Sequence, residues 1–341
     1  MKKKVTIHDV AREAGVSPTA VSFAYNNPGQ VGEATAKHIL EVARRLGYAP
    51  SPIARAMISS RTRVIGLLTP MSISASFVSP FMPPFLQGIG SVCDANSLGF
   101  QIISPYQGSL EEATRRAPVD GYIVLGLNEN HAEIAPLLHR QVPFVIVDGD
   151  ATTVSEINVD DEGGAFAAAA YLLHHGHQDI LILTFEQPAP GHQDDLFFGV
   201  GGRRLAGYQR AYQEYGQQLR PDQLVQAQTS IEGGSVAFRM VWESGRRPTA
   251  LLAMSDGVAL GAMAEAIRLG IRVPEDIEII GFDDIPLAAL SRPALSTVHQ
   301  PIILKGQCAA ELLVELLEGN PPPAKIRLET HLVLRDTTRP V

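Results

Sequence analysis

Eight short apolar runs, widely spaced along the chain, most constrain what it can become. VIGLL (64–68), FQII (100–103), GYIVL (121–125) and PFVIV (143–147) form a first series; ILILTF (180–185), LVQAQ (224–228), ALLAM (250–254) and IEIIGF (277–282) form a second. Runs this short and this apolar suit strands buried on both faces of a parallel sheet. Helical patterns lie between them, near Phe85–Asn96 and Ala132–Arg140 in the first series. In the second they run near Gly163–His174, Arg203–Tyr215, Ser235–Trp242 and Val258–Leu269. Repeated strand–helix units in two batches predict an α/β core of two doubly wound parallel-sheet sub-domains with a cleft between them. There is no internal repeat, and the PPP at 321–323 reads as a chain turn.

The first 48 residues follow a different pattern, one of three short helices. Ile7, Val10 and Ala11 give the first an apolar stripe, and Gly15 breaks it. Ser17 is a good N-cap for a second helix, with Pro18 at the first helical position, where its missing N–H costs nothing. Helix, glycine turn and helix make a helix-turn-helix signature, closed by a third amphipathic helix carrying Ala36, Ile39, Leu40, Ala43 and Leu46. Charge agrees with a nucleic-acid role. Residues 1–63 hold ten Lys/Arg against four Asp/Glu, net +6, whereas the remainder holds 18 against 32, net −14. A basic head on an acidic body is the asymmetry expected when one end meets phosphate. The alternative is a three-helix protein-interaction module.

At 341 residues the chain can hold two or three domains with buried cores, and 45% hydrophobic content places it among globular proteins. Cys93 and Cys308 are too few for a disulfide framework. No apolar segment follows the N-terminal lysines as a secretory signal would require, and no stretch approaches the roughly 18 apolar residues that span a bilayer. The expectation is a soluble cytoplasmic protein without a membrane partner.

The head, PSPIARAM, GRRLAGY, MSDGVALGA, GIRVPEDIEIIGFDDIP and STVHQP together resemble the lactose/galactose-repressor (LacI/GalR) family of bacterial transcription regulators. The resemblance runs from about Val5 to Arg335. It implies a helix-turn-helix head at 1–50, a hinge helix at 51–60 and a core at 61–341 like periplasmic sugar-binding proteins. The core would divide into an N-sub-domain of about 61–157 and 290–319 and a C-sub-domain of about 158–289 and 320–341. A homodimer on a palindromic double-stranded DNA operator is implied, as is a small effector in the cleft, a carbohydrate by default, that alters operator affinity. The chain ends without a terminal heptad segment, so a dimer is expected over a tetramer. Dimerisation is expected to use the core's helices, including the apolar Ile303–Leu317 stretch.

On the recognition helix, Ser17 to Asn26, Thr19 is the first choice for a base contact. Pro18 and Ala20 offer apolar contact to a thymine methyl, and Thr6, Ser17, Ser22 and Asn26 are further candidates, chiefly for phosphates. The family usually carries an arginine where this chain has Phe23, which either packs within the head or touches a methyl group. Ser51 and Pro52 can start a hinge helix through Ile53, Arg55 and Met57. So short a helix is marginal alone and would fold when paired with its dimer mate on the minor groove, with Met57 where the family wedges a leucine. An ordinary solvated linker is the alternative.

For the cleft, Arg204 in GRRLAGY matches a family arginine that points into it, with Arg203 expected to be exposed. Asp283 in GFDD matches an acidic acceptor, and Asp148 follows PFVIV at a strand's carboxyl end, where such sheets bind ligands. Asp256 reads equally as a helix cap and as a ligand contact. Ser79 and Phe81 belong to the expected rim. Many family members place an aromatic ring near Gly234; EGGS gives none, and Trp242 sits on what reads as a core face. The long acidic segment 187–202 is either a lid bringing Phe197 or Phe198 to the cleft or a solvated loop.

His174, His175 and His177 match a helix-to-strand turn and lack metal-ligand company, so no metal, cofactor or catalytic residue is expected. No GxSxG or GxxxxGK[ST] motif occurs. The competing readings are a ligand-binding receptor module without DNA regulation, a regulator dependent on a purine or nucleoside corepressor, and an enzyme using the cleft.

Overall fold

A computed structural model describes residues 5–49, 61–186, 199–319 and 325–340. The chain divides into two compact units, Met1–Arg63 and Val64–Val341. The hinge candidates Ile53, Arg55 and Met57, and the lid candidates Phe197 and Phe198, lie outside the described residues.

The head is a bundle of α1 (Ile7–Ala14), α2 (Pro18–Asn26) and α3 (Glu33–Leu46). Thr6 opens α1, its N–H donating to Asp9 Oδ2 at 2.9 Å. Gly15 ends it at φ +65°, a left-handed cap that glycine adopts without Cβ strain. Ser17 Oγ then accepts from Ala20 N–H at 3.1 Å, so the turn between the helices is capped on both sides. Val10, Ala11, Val21, Ala24, Ala36, Ile39, Val42 and Ala43 form the buried centre. Leu40, expected there, is only half-buried, and Val42, one turn beyond Ile39, is buried instead.

The core contains two six-stranded sheets. The first runs β11–β5–β4–β3–β1–β2, formed by Lys325–Leu328, Glu156–Val159, Phe144–Val147, Gly121–Leu125, Val64–Leu68 and Gly99–Ile103, all parallel. The second runs β12–β10–β9–β8–β6–β7, formed by His331–Val333, Ser296–His299, Glu278–Asp283, Ala250–Ala253, Ile180–Phe185 and Leu224–Ala227. It is parallel except for the edge strand β12, which pairs antiparallel with β10. The helices are α4 (Ile73–Val78), α5 (Met82–Asn96), α6 (Leu110–Arg116), α7 (Ala135–His139), α8 (Asp161–His174), α9 (Val200–Glu214), α10 (Ile231–Glu243), α11 (Asp256–Arg268), α12 (Pro286–Leu290) and α13 (Ile302–Leu317).

Three helix pairs meet closely: α5 with α13, α8 with α9, and α10 with α11. A Cβ at Gly88 would lie 2.0 Å from the Ile303 carbonyl, and one at Gly261 would lie 1.8 Å from that of Ile231. Only glycine lets these backbones touch.

The sub-domain boundaries differ from those expected. β5 keeps residues to Val159 in the first sheet, so the first crossing falls at Asp160. β10 stays in the second sheet, placing the next crossing at Gln300–Pro301 instead of near 290. IRLETHLVL, which reads as one strand, splits into β11 in the first sheet and β12 in the second, with a third crossing at Glu329–Thr330. On α13, Ile302, Lys305, Ala309, Ala310, Leu312 and Leu313 are buried in the chain's own core, while Ile303, Leu304, Glu311 and Glu315 are exposed.

Candidate functional site

The carboxyl ends of β4, β8 and β9 converge beside the crossings, and the charged side chains gather there. Asp148, just after β4, holds φ +58°, and Asp283, at the end of β9, holds φ +127°. L-residues rarely adopt such backbone angles, and aspartate is among those that tolerate them best. Lys305 reaches the same point from the first turn of α13. It is fully buried, with its Nζ 2.7 Å from Asp148 Oδ1 and 2.5 Å from Gln300 Oε1. Gln300 Nε2 donates to Asp283 Oδ1 at 2.6 Å. A lysine and a glutamine therefore tie the two candidate carboxylates together across a crossing.

Arg204 stands on the other side of Asp283. Its Nε donates to Asp161 Oδ1 at 2.9 Å, Nη1 donates to the Met254 carbonyl, and Nη1 lies 3.7 Å from Asp283 Oδ1. The guanidinium lies 3.5 Å above the centroid of the Phe282 ring. These contacts hold a buried cation in one orientation. Burial pushes the Asp283 carboxyl up to about 6 despite the nearby Arg204.

Ser79 and Phe81 lie between α4 and α5; Ser79 is buried, and the Phe81 ring is half-buried. That ring stacks on Phe85 with centroids 5.5 Å apart and sits 5.5 Å from Lys305 Nζ. Pro80 faces Gly257 at the start of α11, where a Cβ would lie 3.5 Å from the proline ring.

Asp256 is not the cap of α11. Ser255 is, its hydroxyl accepting from Val258 N–H at 3.4 Å. Both Asp256 oxygens are engaged inside the fold, by Ile285 N–H at 2.9 Å and by the Thr297 hydroxyl. Burial, with the charge of Asp283 added, raises its pKa well above the usual carboxylate value. Arg203, expected to be exposed, is half-buried among Asp161, Asp150 and Asn158. Gly234 is not a ring position at all. A Cβ there would lie 2.1 Å from the Val258 carbonyl, because α10 presses on α11. Trp242 packs against the core, stacked on Phe238. His177 bonds Thr249 Oγ1 and Glu278 Oε1, and no metal-like group of His, Cys, Asp or Glu occurs among the described residues. Lys305 and Gln300 escaped the sequence reading; a lysine interrupting the buried face of an apolar helix was the available signal.

In the head, Thr19, Ser22, Phe23 and Asn26 share the outer face of α2, opposite buried Val21 and Ala24. Thr19 and Asn26 are exposed, and Phe23 is half-buried without packing on the head's core. Pro18 and Ala20 are half-buried. Ser17 spends its hydroxyl oxygen on the cap, Asn26 Nδ2 reaches Ser22 Oγ at 3.3 Å, and the Thr6 hydroxyl donates to Asp9 at 2.7 Å.

Residues 6–51 match the model for bacterial regulatory proteins of the lacI family, and residues 169–338 match a periplasmic binding protein-like domain. The HTH-type transcriptional repressor PurR of Vibrio cholerae is 32% identical over 346 residues, covering 98% of each chain. PurR of Erwinia tasmaniensis is 33% identical over 322 residues, covering 91% of this chain and 89% of its own. Among solved structures, the regulator CelR in complex with cellobiose is 27% identical with a TM-score of 0.70, covering 98% of this chain and all of its own. The lac repressor dimer bound to operator, 24% identical over 98% of this chain and 99% of its own, shares the fold with a TM-score of 0.80. The chain therefore belongs to the lacI family of bacterial regulatory proteins, DNA-binding transcriptional repressors whose action a small effector modulates.

Proposed function

We propose that the effector sits at the floor formed by Asp148, Asp283 and Arg204, under a rim of Ser79 and Phe81, with Asp256 shaping the floor from behind. The observation that carries this reading is the Asp148–Lys305–Gln300–Asp283 chain, which joins ligand-ready carboxylates from both sub-domains. Two carboxylates with remaining acceptor positions, Asp148 and Asp283, beside the Arg204 guanidinium suit hydroxyl groups that both donate and accept, so a carbohydrate is the proposed class. A purine is the second reading, favoured by the PurR relatives. A thermal-shift series on the whole protein with cellobiose, ribose, guanine and hypoxanthine tests both. At 100 times its dissociation constant a true ligand adds about 2.7 kcal/mol. Stabilisation by either purine and neither sugar would refute the carbohydrate assignment.

The protein acts in the cytoplasm as a homodimer on a palindromic operator. Exposed Phe77, Val78, Met240 and Leu290 support self-association. Thr19 leads the base contacts, joined by Pro18, Ala20 and Phe23, while Thr6, Ser17, Ser22 and Asn26 position the helix. Ile53, Arg55 and Met57 act in the minor groove, so Met57→Gly should weaken operator binding and spare effector binding. Operator affinity should fall steeply with salt as counterions are released. Affinity indifferent to salt would refute the phosphate-binding role of the head.

A further inference from the structure

The crossings between the sub-domains are gripped by charged side chains. At Gln300–Pro301 the grip is the buried Lys305–Gln300–Asp283 chain. At the third crossing, Arg327 donates to the Asp160 carboxylate and the Thr330 hydroxyl to the Asp160 carbonyl. Both grips include residues of the crossing strands and turn with them.

Arg203 is different. It belongs to α9 of the second sub-domain, and its three bonds point three ways. Nε donates to Asp161 Oδ2 at 3.0 Å, Nη2 to Asn158 Oδ1 at 3.0 Å and Nη1 to Asp150 Oδ1 at 3.1 Å. Asn158 precedes the first crossing on β5, Asp161 follows it at the start of α8, and Asp150 lies on the loop behind β4. One planar fork thus joins the second sub-domain to two separate parts of the first.

The loop it grips is itself held firm. The Glu129 carboxylate accepts from Thr152 N–H at 2.5 Å and Thr153 N–H at 2.9 Å, and from both threonine hydroxyls. Although burial opposes it, these bonds hold the Glu129 carboxyl down at about 2. Asp150 N–H donates to Asn128 Oδ1 at 2.8 Å. On the other side, Asp161 gives one oxygen to Arg203 and the other to Arg204.

We infer that Arg203 is a positioning residue: it sets the resting angle between the sub-domains and, through Asp161, the pose of Arg204. Its influence on effector response rests on the cleft reading above; the brace itself does not. The Arg203 side chain is 22% exposed and that of Asp150 is 60% exposed, so water can replace the outer bond. The brace therefore yields, whereas the buried Lys305 chain does not. Any ligand that prefers one angle must work with or against it.

The test needs no effector. Spin labels on Ala132→Cys and Gln213→Cys, in a Cys308→Ser background, report the inter-sub-domain distance by pulsed electron resonance. Labelled chain is diluted into unlabelled chain so that only distances within one chain are read. Arg203→Ala should shift the distribution, raising the minor angle's population about fivefold. Arg203→Lys, which keeps the charge and loses the fork, should shift it less. Asp150→Asn should give part of the Ala effect and add nothing to it in the double variant. Distributions that superimpose on the wild type in both Arg203→Ala and Asp150→Asn would overturn the assignment, as would fully additive effects. If Arg203→Ala does not fold, Asp150→Asn, altered where the carboxylate is mostly in water, decides alone.

Discussion

Replacing Lys305 with methionine tests how the cleft floor is held together. At 2.7 Å and an effective dielectric constant near 20, the Lys305–Asp148 attraction is about 6 kcal/mol before desolvation is counted. Most of that is offset by taking the fully buried ammonium out of water, so the pair as a whole contributes little. Removing one partner is another matter. Methionine fills nearly the same volume, yet the Asp148 carboxylate loses its counter-charge and Gln300 Oε1 loses a donor. Asp148 keeps 11% exposure, enough for partial rehydration, which sets the expected loss at about 3 kcal/mol, the low end for a broken buried pair. Adding Asp148→Asn, which removes the orphaned charge and tolerates the left-handed backbone, should recover about 2 kcal/mol of it. Urea unfolding followed by far-UV circular dichroism reads each corner of this cycle. A Lys305→Met protein as stable as the wild type, or a double variant no better than the single, would refute the counter-charge argument.

Three further outcomes follow from the same geometry. Asp283 titrates at about 6, above its unfolded value near 3.9, so the folded state holds that proton more tightly. Its contribution to stability is present below pH 4 and is lost as pH rises through about 6, by about 2–3 kcal/mol; Asp283→Asn should flatten the slope in urea titrations across pH 4–7, leaving what the neighbouring Asp256 contributes. Gly88→Ala drives a methyl group to 2.0 Å from the Ile303 carbonyl and should cost about 3 kcal/mol, read as a lower unfolding midpoint. Ser17→Ala deletes the cap of α2 and should lower head stability by about 1 kcal/mol, whereas Thr19→Ala should leave the melting curve unchanged and weaken binding to a selected operator duplex.

The strands that lie in the sheet centres were legible because nearly continuous apolar runs such as ILILTF suit a strand buried on both faces of an α/β core. β10 was not. Three of its residues are Ser296, Thr297 and His299, and it is buried because partners distant in sequence satisfy it, Thr337 and Thr338 among them. α4 and α6 are too short for periodicity to register and are started by Ser72 and Ser109 caps. Asp148, Asp283 and Arg204 could be named from strand ends and motif resemblance, since their backbone positions follow from local sequence. The roles of Arg203 and Asp256 could not. Arg203 owes its burial to Asp150, Asn158 and Asp161, and Asp256 owes its partners to Ile285 and Thr297. Such polar pairings are fixed by how the sheets are threaded, which no window along the chain contains.

The glycine-seamed helix pairs carry a consequence for how this gene tolerates change. Where α5 meets α13 and α10 meets α11, the contacts are backbone on backbone, so no compensating side-chain substitution nearby can make room for even a methyl group. A saturation library scored for abundance should therefore show its most intolerant positions along those seams, at Gly88, Gly234 and Gly261. Rim positions proposed to meet the effector, such as Phe81, should emerge chiefly when the library is scored for regulation. Comparing the two maps would separate residues that keep the repressor present from residues that let it respond.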